Sequence, residues 1–177
     1  TIQDHLIVLV NRRNGSDSDP HAYLVRYNPF SGNVEFTAKG ATAGLTNRLI
    51  QQPYMDRWYH VAVTRDNSTY KGFLDGRKVF ETSLDIGAIS APNGVTIGGL
   101  SSGKWFYGDV QEVAIYNAAL SEQNVFDRMF QDQTLRPGIR GYYKLGYSTN
   151  ASELLHNFAP NPPRDTDQAT TNGTGII

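Results

Sequence analysis

Apolar residues recur at every second position through most of the chain. In "VEFTAK" (34–39), Val34, Phe36 and Ala38 fall on one side and Glu35, Thr37 and Lys39 on the other, which predicts a strand buried on one face only. The same alternation predicts strands in "HLIVLVNRR" (5–13), "HAYLVRYN" (21–28) and "RWYHVAVTRD" (57–66). The last is rich in the aromatic and β-branched residues that suit a pleated surface. "NGSDSDP" and "PFSGN" separate the first three strands with residues that favour turns. "GATAGLTNRLIQQP" (40–53) is less regular and reads as a loop plus a short strand. "TYKGFLD" and "RKVFETSL" meet at Asp75-Gly76. Both central positions of a type I′ turn need φ > 0, which Asp and Gly tolerate, so Asp75 is expected to be the first turn residue of a hairpin. "GVTIGG" (94–99) predicts a short strand, "FYGDVQEVAIYN" (106–117) a long one, and "RGYYKLGY" (140–147) the last.

One segment breaks the period of two. "LSEQNVFDRMFQ" (120–131) predicts a short helix near residues 121–131. Ser121 suits the N-cap, Glu122 the positive helix end, and Leu120 stapled to Val125 the entry. Val125, Met129, Phe126 and Phe130 would form its apolar face. Short strands at this spacing with a single helix predict an all-β sandwich. From about residue 148 the chain is rich in Asn, Pro, Asp, Thr and Gly. The expected organisation is one domain over 1–147, then 148–177 as extended coil, a linker or the start of a following segment.

Composition narrows the function classes. A chain of 177 residues suits one domain with a real core, and no apolar run approaches the ~18 residues that would insert in a membrane. Lys plus Arg is 16 and Asp plus Glu 17, without the basic excess of a nucleic-acid binder. With no cysteine, disulfides, thiolate metal sites and a cysteine nucleophile are excluded. The chain begins at Thr1 without a methionine, as expected of a piece of a longer protein carrying other domains.

The stretch from Trp58 to Val125 resembles the laminin G-like or concanavalin A-like lectin-glucanase jelly-roll superfamily. The ordered series "WYHVAVTRD", "YKGFLDG", "VTIGG", "FYGDVQEVAIYN" and "AALSEQNV" carries the likeness. Gln111 stands where that family often has Asp. The resemblance implies a jelly roll of two antiparallel sheets, places Trp58 in the core at the start of its strand, and brings in calcium as a cofactor that many relatives hold. "GYYKLG" and "NFAPN" resemble the opening of such a domain, with Asn157 where Asp is common; a following module or a shifted order of the chain ends would both account for that.

Candidate chemistry follows from these placements. A glycosidase of this fold class needs two carboxylates flanking one sugar bond, ~5–9 Å apart. If "DVQEV" is a strand, Asp109 and Gln111 share a face and Glu112 points to the other, which separates the acids. Neither the spacing of His5, His21, His60 and His156 nor any Gly-x-Ser-x-Gly elbow supports a metal pair or a serine triad. His60 reads as a half-buried strand histidine satisfied by a backbone or hydroxyl partner. Calcium would use the oxygens of Asp17 and Asp19 in "NGSDSD". Sugar binding calls for exposed rings and a few fixed polar groups. Lys104, Trp105 and Tyr107 in "SSGKWFYGD" form one candidate rim, and Tyr54, Arg57 and Tyr59 a second.

The expected protein is therefore a non-catalytic recognition module for a glycan or protein ligand, in a larger extracellular or cell-surface protein. The alternatives are a structural or spacer domain of an adhesin or large secreted protein and, less favoured by the alternation argument, a glycan-active enzyme of the same fold.

Overall fold

The computed structural model describes residues 7–13, 21–89, 95–100, 104–106, 108–132, 136–145 and 157–159. They form an all-β fold of antiparallel sheets with one short helix, divided into two compact units. The larger comprises Thr1–Tyr107 with Leu120–Met129, and the smaller Gly108–Ala119 with Phe130–Ile177.

In the larger unit, β1 (Ile7–Arg13), β2 (His21–Asn28), β3 (Asn33–Lys39) and β4 (Gly44–Gln51) pair successively. A second sheet contains β5 (Val61–Asp66), β6 (Thr69–Leu74) and β7 (Arg77–Ser83). β8 (Val95–Ile97) adds to β1, giving a five-stranded sheet of order β4-β3-β2-β1-β8. β9 (Gly99–Leu100) and β10 (Lys104–Trp105) form a separate pair. The core lies between the two large sheets, where Val34, Phe36, Ala38, Leu45, Leu49 and Ile50 meet Tyr70 and Phe80. A bulge opposite Val34 and Glu35 sets both Leu49 and Ile50 inside, since Val34 pairs Ile50 while Glu35 pairs Arg48. Segment 40–53, expected as a loop plus a short strand, supplies the whole of β4.

β3 departs from the half-buried pattern that its alternation predicts. Its polar face is buried as well, with Glu35 and Thr37 as enclosed as the apolar residues opposite. An unpaired buried carboxylate would be costly, and Glu35 is compensated by its neighbours. Its oxygens accept hydrogen bonds from Arg26 Nη2 (3.2 Å), Asn28 Nδ2 (3.2 Å) and Ser31 Oγ (2.9 Å). Arg26 is its direct cross-strand partner.

The hairpin at Asp75-Gly76 forms as expected, with φ of 48° and 75° at the two turn residues. Helix α1 (Glu122–Arg128) is also as expected at its start: Ser121 Oγ accepts from Asn124 N at 3.2 Å, and Glu122 occupies the first turn. Of its anticipated apolar face only Val125 is buried; Phe126 and Phe130 are exposed.

In the smaller unit, β11 (Val113–Tyr116) pairs with β12 (Ile139–Tyr143). The long strand expected over 106–117 is reduced to these four residues, because Glu112 adopts φ of 56° and breaks the extended backbone just before Val113. Asn157 is buried against β12, its Oδ1 accepting from Tyr142 N (2.9 Å) and Ala159 N (3.0 Å). No helix among the described residues is long and apolar enough to cross a membrane.

Candidate functional site

The strand expected over 57–66 begins only at Val61. The preceding segment leaves β4 through Gln52 and turns at Asp56, both with left-handed backbone (φ of 45° and 59°). Such conformations are uncommon outside glycine and persist where surrounding contacts hold them. At the far end of the segment, contacts converge on Asp75. His60 N donates to Asp75 Oδ1 at 2.9 Å, and Asp75 N donates back to His60 O at 2.8 Å. Arg57 Nη2 reaches Asp75 Oδ2 at 3.3 Å. The turn residue of one hairpin thus also grips the loop that enters β5.

The second rim expected from sequence is assembled by this grip. The Arg57 guanidinium lies 4.7 Å from the centre of the Tyr59 ring, and Tyr59 Oη accepts from Tyr54 N at 2.9 Å. Tyr54, Arg57 and Tyr59 therefore form one connected group. Trp58, expected in the core, is instead 62% exposed, because it precedes the ladder and takes no part in the alternation of β5. Tyr54 is 77% exposed, and Met55 beside it is also open. The result is a connected group of Tyr54, Tyr59 and Arg57, with the arginine at its Asp75 end and the exposed Trp58 next to it in sequence.

His60 lies just before β5 rather than within it, and is half-buried as expected. Its Nδ1 is buried without a hydrogen-bond partner, contrary to the satisfied histidine anticipated. Burial pushes its imidazole below the ordinary value, while the Asp75 carboxylate partly opposes the shift.

The other candidates fare differently. The backbones of Lys104 and Trp105 form β10, opposite Leu100 and Gly99. Their side chains, Tyr107, and the proposed calcium ligands Asp17 and Asp19 lie outside the described residues. Among the described residues no group of three His, Asp or Glu side chains is placed to hold a metal ion. Asp109, Gln111 and Glu112 are not in a strand, which removes the alternation argument about their faces.

Among the described residues two carboxylates, Glu81 and Glu122, converge, and no local pattern along the chain announces it. Glu81 Oε2 and Glu122 Oε1 both contact Lys78 Nζ, at 2.7 Å and 2.9 Å, with Lys71 Nζ at 3.8 Å and 3.7 Å. The hydrogen bond from Lys78 holds each carboxyl below its ordinary range. Glycoside hydrolysis needs one of two acids kept protonated, and this cluster does the reverse. A shallow open depression lined by Arg48, Leu49, Gln51, Val79 and Phe80 contains none of the expected site residues.

A solved structure from Bacteroides ovatus ATCC 8483, described as a candidate carbohydrate binding protein, is similar to 82% of this chain at 23% identity and a TM-score of 0.60. The chain spans 45% of that structure's length. A domain (residues 221-444) of an S-layer domain-containing protein from Clostridium thermocellum ATCC 27405 is similar over 72% of this chain and 64% of its own, at 16% identity and a TM-score of 0.36. No curated protein matches the chain. Residues 3–126, well over half of the sequence, match the family described as the concanavalin A-like lectin/glucanases superfamily, and the chain belongs to it.

Proposed function

We propose that the chain is a non-catalytic glycan-recognition module of an extracellular or cell-surface protein, and that the rim of Tyr54, Arg57, Trp58 and Tyr59 meets the ligand. The observation that carries this reading is the exposure of Trp58 and Tyr54 beside an arginine held by Asp75 and Tyr59. A pyranose presents an apolar face to a ring and hydroxyls to fixed polar groups, which is the combination this rim offers. The converging pair Glu81 and Glu122 does not offer the protonated acid a glycosidase needs, since Lys78 lowers both carboxyls. Membership of a lectin/glucanase superfamily supports glycan binding over the spacer reading, although a fold alone does not fix a site. Lys104, Trp105 and Tyr107 remain a second proposed contact surface, and Asp17 and Asp19 proposed calcium ligands. A glycan array probed with the wild-type chain and with Trp58→Ala tests the reading: binding is expected to the wild type and to be lost in the variant.

A further inference from the structure

The hairpin tip that grips the rim loop is itself backed by α1. A methyl group placed on Gly76 would lie 2.6 Å from Phe126 Cδ2, so the Phe126 ring rests directly on the tip. Glu122, in the first turn of the same helix, is tied to Lys71 of β6 and Lys78 of β7. From the tip the contacts continue without a break: Asp75 to His60 and Arg57, Arg57 to Tyr59, and Tyr59 to Tyr54. We propose that α1 positions the glycan rim through the Asp75-Gly76 tip, with Phe126 and Glu122 acting as positioning residues that set ligand affinity without touching ligand. The proposal rests on reading the rim as the ligand surface. Its physical basis is that each link is a packed or hydrogen-bonded contact, so displacing the helix must be absorbed at the tip or passed to the loop. The Glu122 ion pairs are exposed and therefore screened by salt, whereas the Phe126 contact is not.

The test uses the full ¹⁵N-labelled chain without ligand, and then the same chain titrated with the best glycan from the array. The His60 amide reports its hydrogen bond to Asp75, and the Trp58 indole reports the rim. Phe126→Ala is expected to shift both signals and weaken binding roughly threefold to thirtyfold. Phe126→Leu should restore most of both, and Val79→Ala should move neither. Raising salt should shift the His60 amide in both chains through the exposed Arg57–Asp75 pair, and further in the wild type than in Glu122→Gln, the difference being the part that Glu122 transmits. If Phe126→Ala is too unstable to study, Phe126→Leu and the salt series on Glu122→Gln decide between coupling and simple packing instead. Loss of thermal stability in Phe126→Ala with the His60 and Trp58 signals unmoved would overturn the proposal, leaving α1 as packing only. Shifted signals in a chain that binds no glycan would uphold the coupling and count against the glycan reading alone.

Discussion

The carboxylate of Asp75 accepts a hydrogen bond from the backbone N–H of His60 at 2.9 Å, across 15 residues of sequence. Asp75 also supplies the left-handed first position of a type I′ turn. Its two roles separate under substitution. Asparagine tolerates the same backbone and keeps an oxygen for His60 N, so Asp75→Asn should retain the fold. It loses only an exposed ion pair, worth about 1 kcal/mol or less. Asp75→Ala loses the acceptor and strains the turn, and should cost about 1–3 kcal/mol. Urea unfolding of the two variants checks the difference; equal losses would contradict the hydrogen bond from His60 N as what distinguishes them.

The rim also predicts a pH dependence. His60 is depressed below the ordinary imidazole value of 6.5, chiefly by burial. Because the folded chain resists protonation at this residue, the unfolded chain binds the proton first as pH falls. The neutral histidine therefore contributes stability that is present above pH 6.5, lost progressively as pH falls below it, and constant again beneath the folded value. Thermal melts between pH 7.5 and about pH 5 should show a shallower loss in His60→Gln than in the wild type. A wild-type slope unchanged by the substitution would contradict the assignment.

These two residues also show where the sequence was legible. The Asp75-Gly76 turn could be read because its backbone demand is local, as could the Ser121 cap, whose acceptor and donor lie three residues apart. Tyr54, Arg57 and Tyr59, grouped from their closeness in sequence, do contact one another in the fold. The exposure of Trp58 was not legible, because "WYHVAV" alternates convincingly while its first residues are pulled out of the ladder by a contact with Asp75. The same limit explains Glu35. Alternation assigns it to a solvent face, and only the cross-strand pairing with Arg26 shows how its burial is tolerated. The break at Glu112 and the meeting of Glu81 with Glu122 likewise depend on tertiary placement rather than on any local period.

Removing the Glu35 carboxylate tests that burial. Glu35→Ala leaves Arg26, Asn28 and Ser31 without their acceptor on an enclosed face. The expected loss is about 3 kcal/mol, read from chemical denaturation, with Glu35→Gln recovering part of it. A change below about 0.5 kcal/mol would mean that the face is solvated in solution.

Gly72 tests the packing of the second sheet. It stands opposite Phe80 across β6 and β7, and a methyl there would sit 2.0 Å from Phe80 Cε1. Phe80 stacks on Phe36 of the facing sheet at 6.2 Å between ring centres, so it has little freedom to retreat. Gly72→Ala should lose about 1–3 kcal/mol by overpacking, and Phe80→Leu in the same chain should recover part of it. Independent, additive effects of the two substitutions would contradict the geometry.

Whether the exposed rings beside Arg57 bind a glycan is decided by one titration. The best-bound array glycan is added to the wild-type chain, Trp58→Ala and Tyr54→Ala, with unfolding curves to confirm that each variant is folded. Each folded variant is expected to lose about tenfold or more in affinity, as for an aromatic contact at the centre of a binding surface. Full affinity in both variants, or no glycan bound by the wild type, would contradict the assignment of the rim.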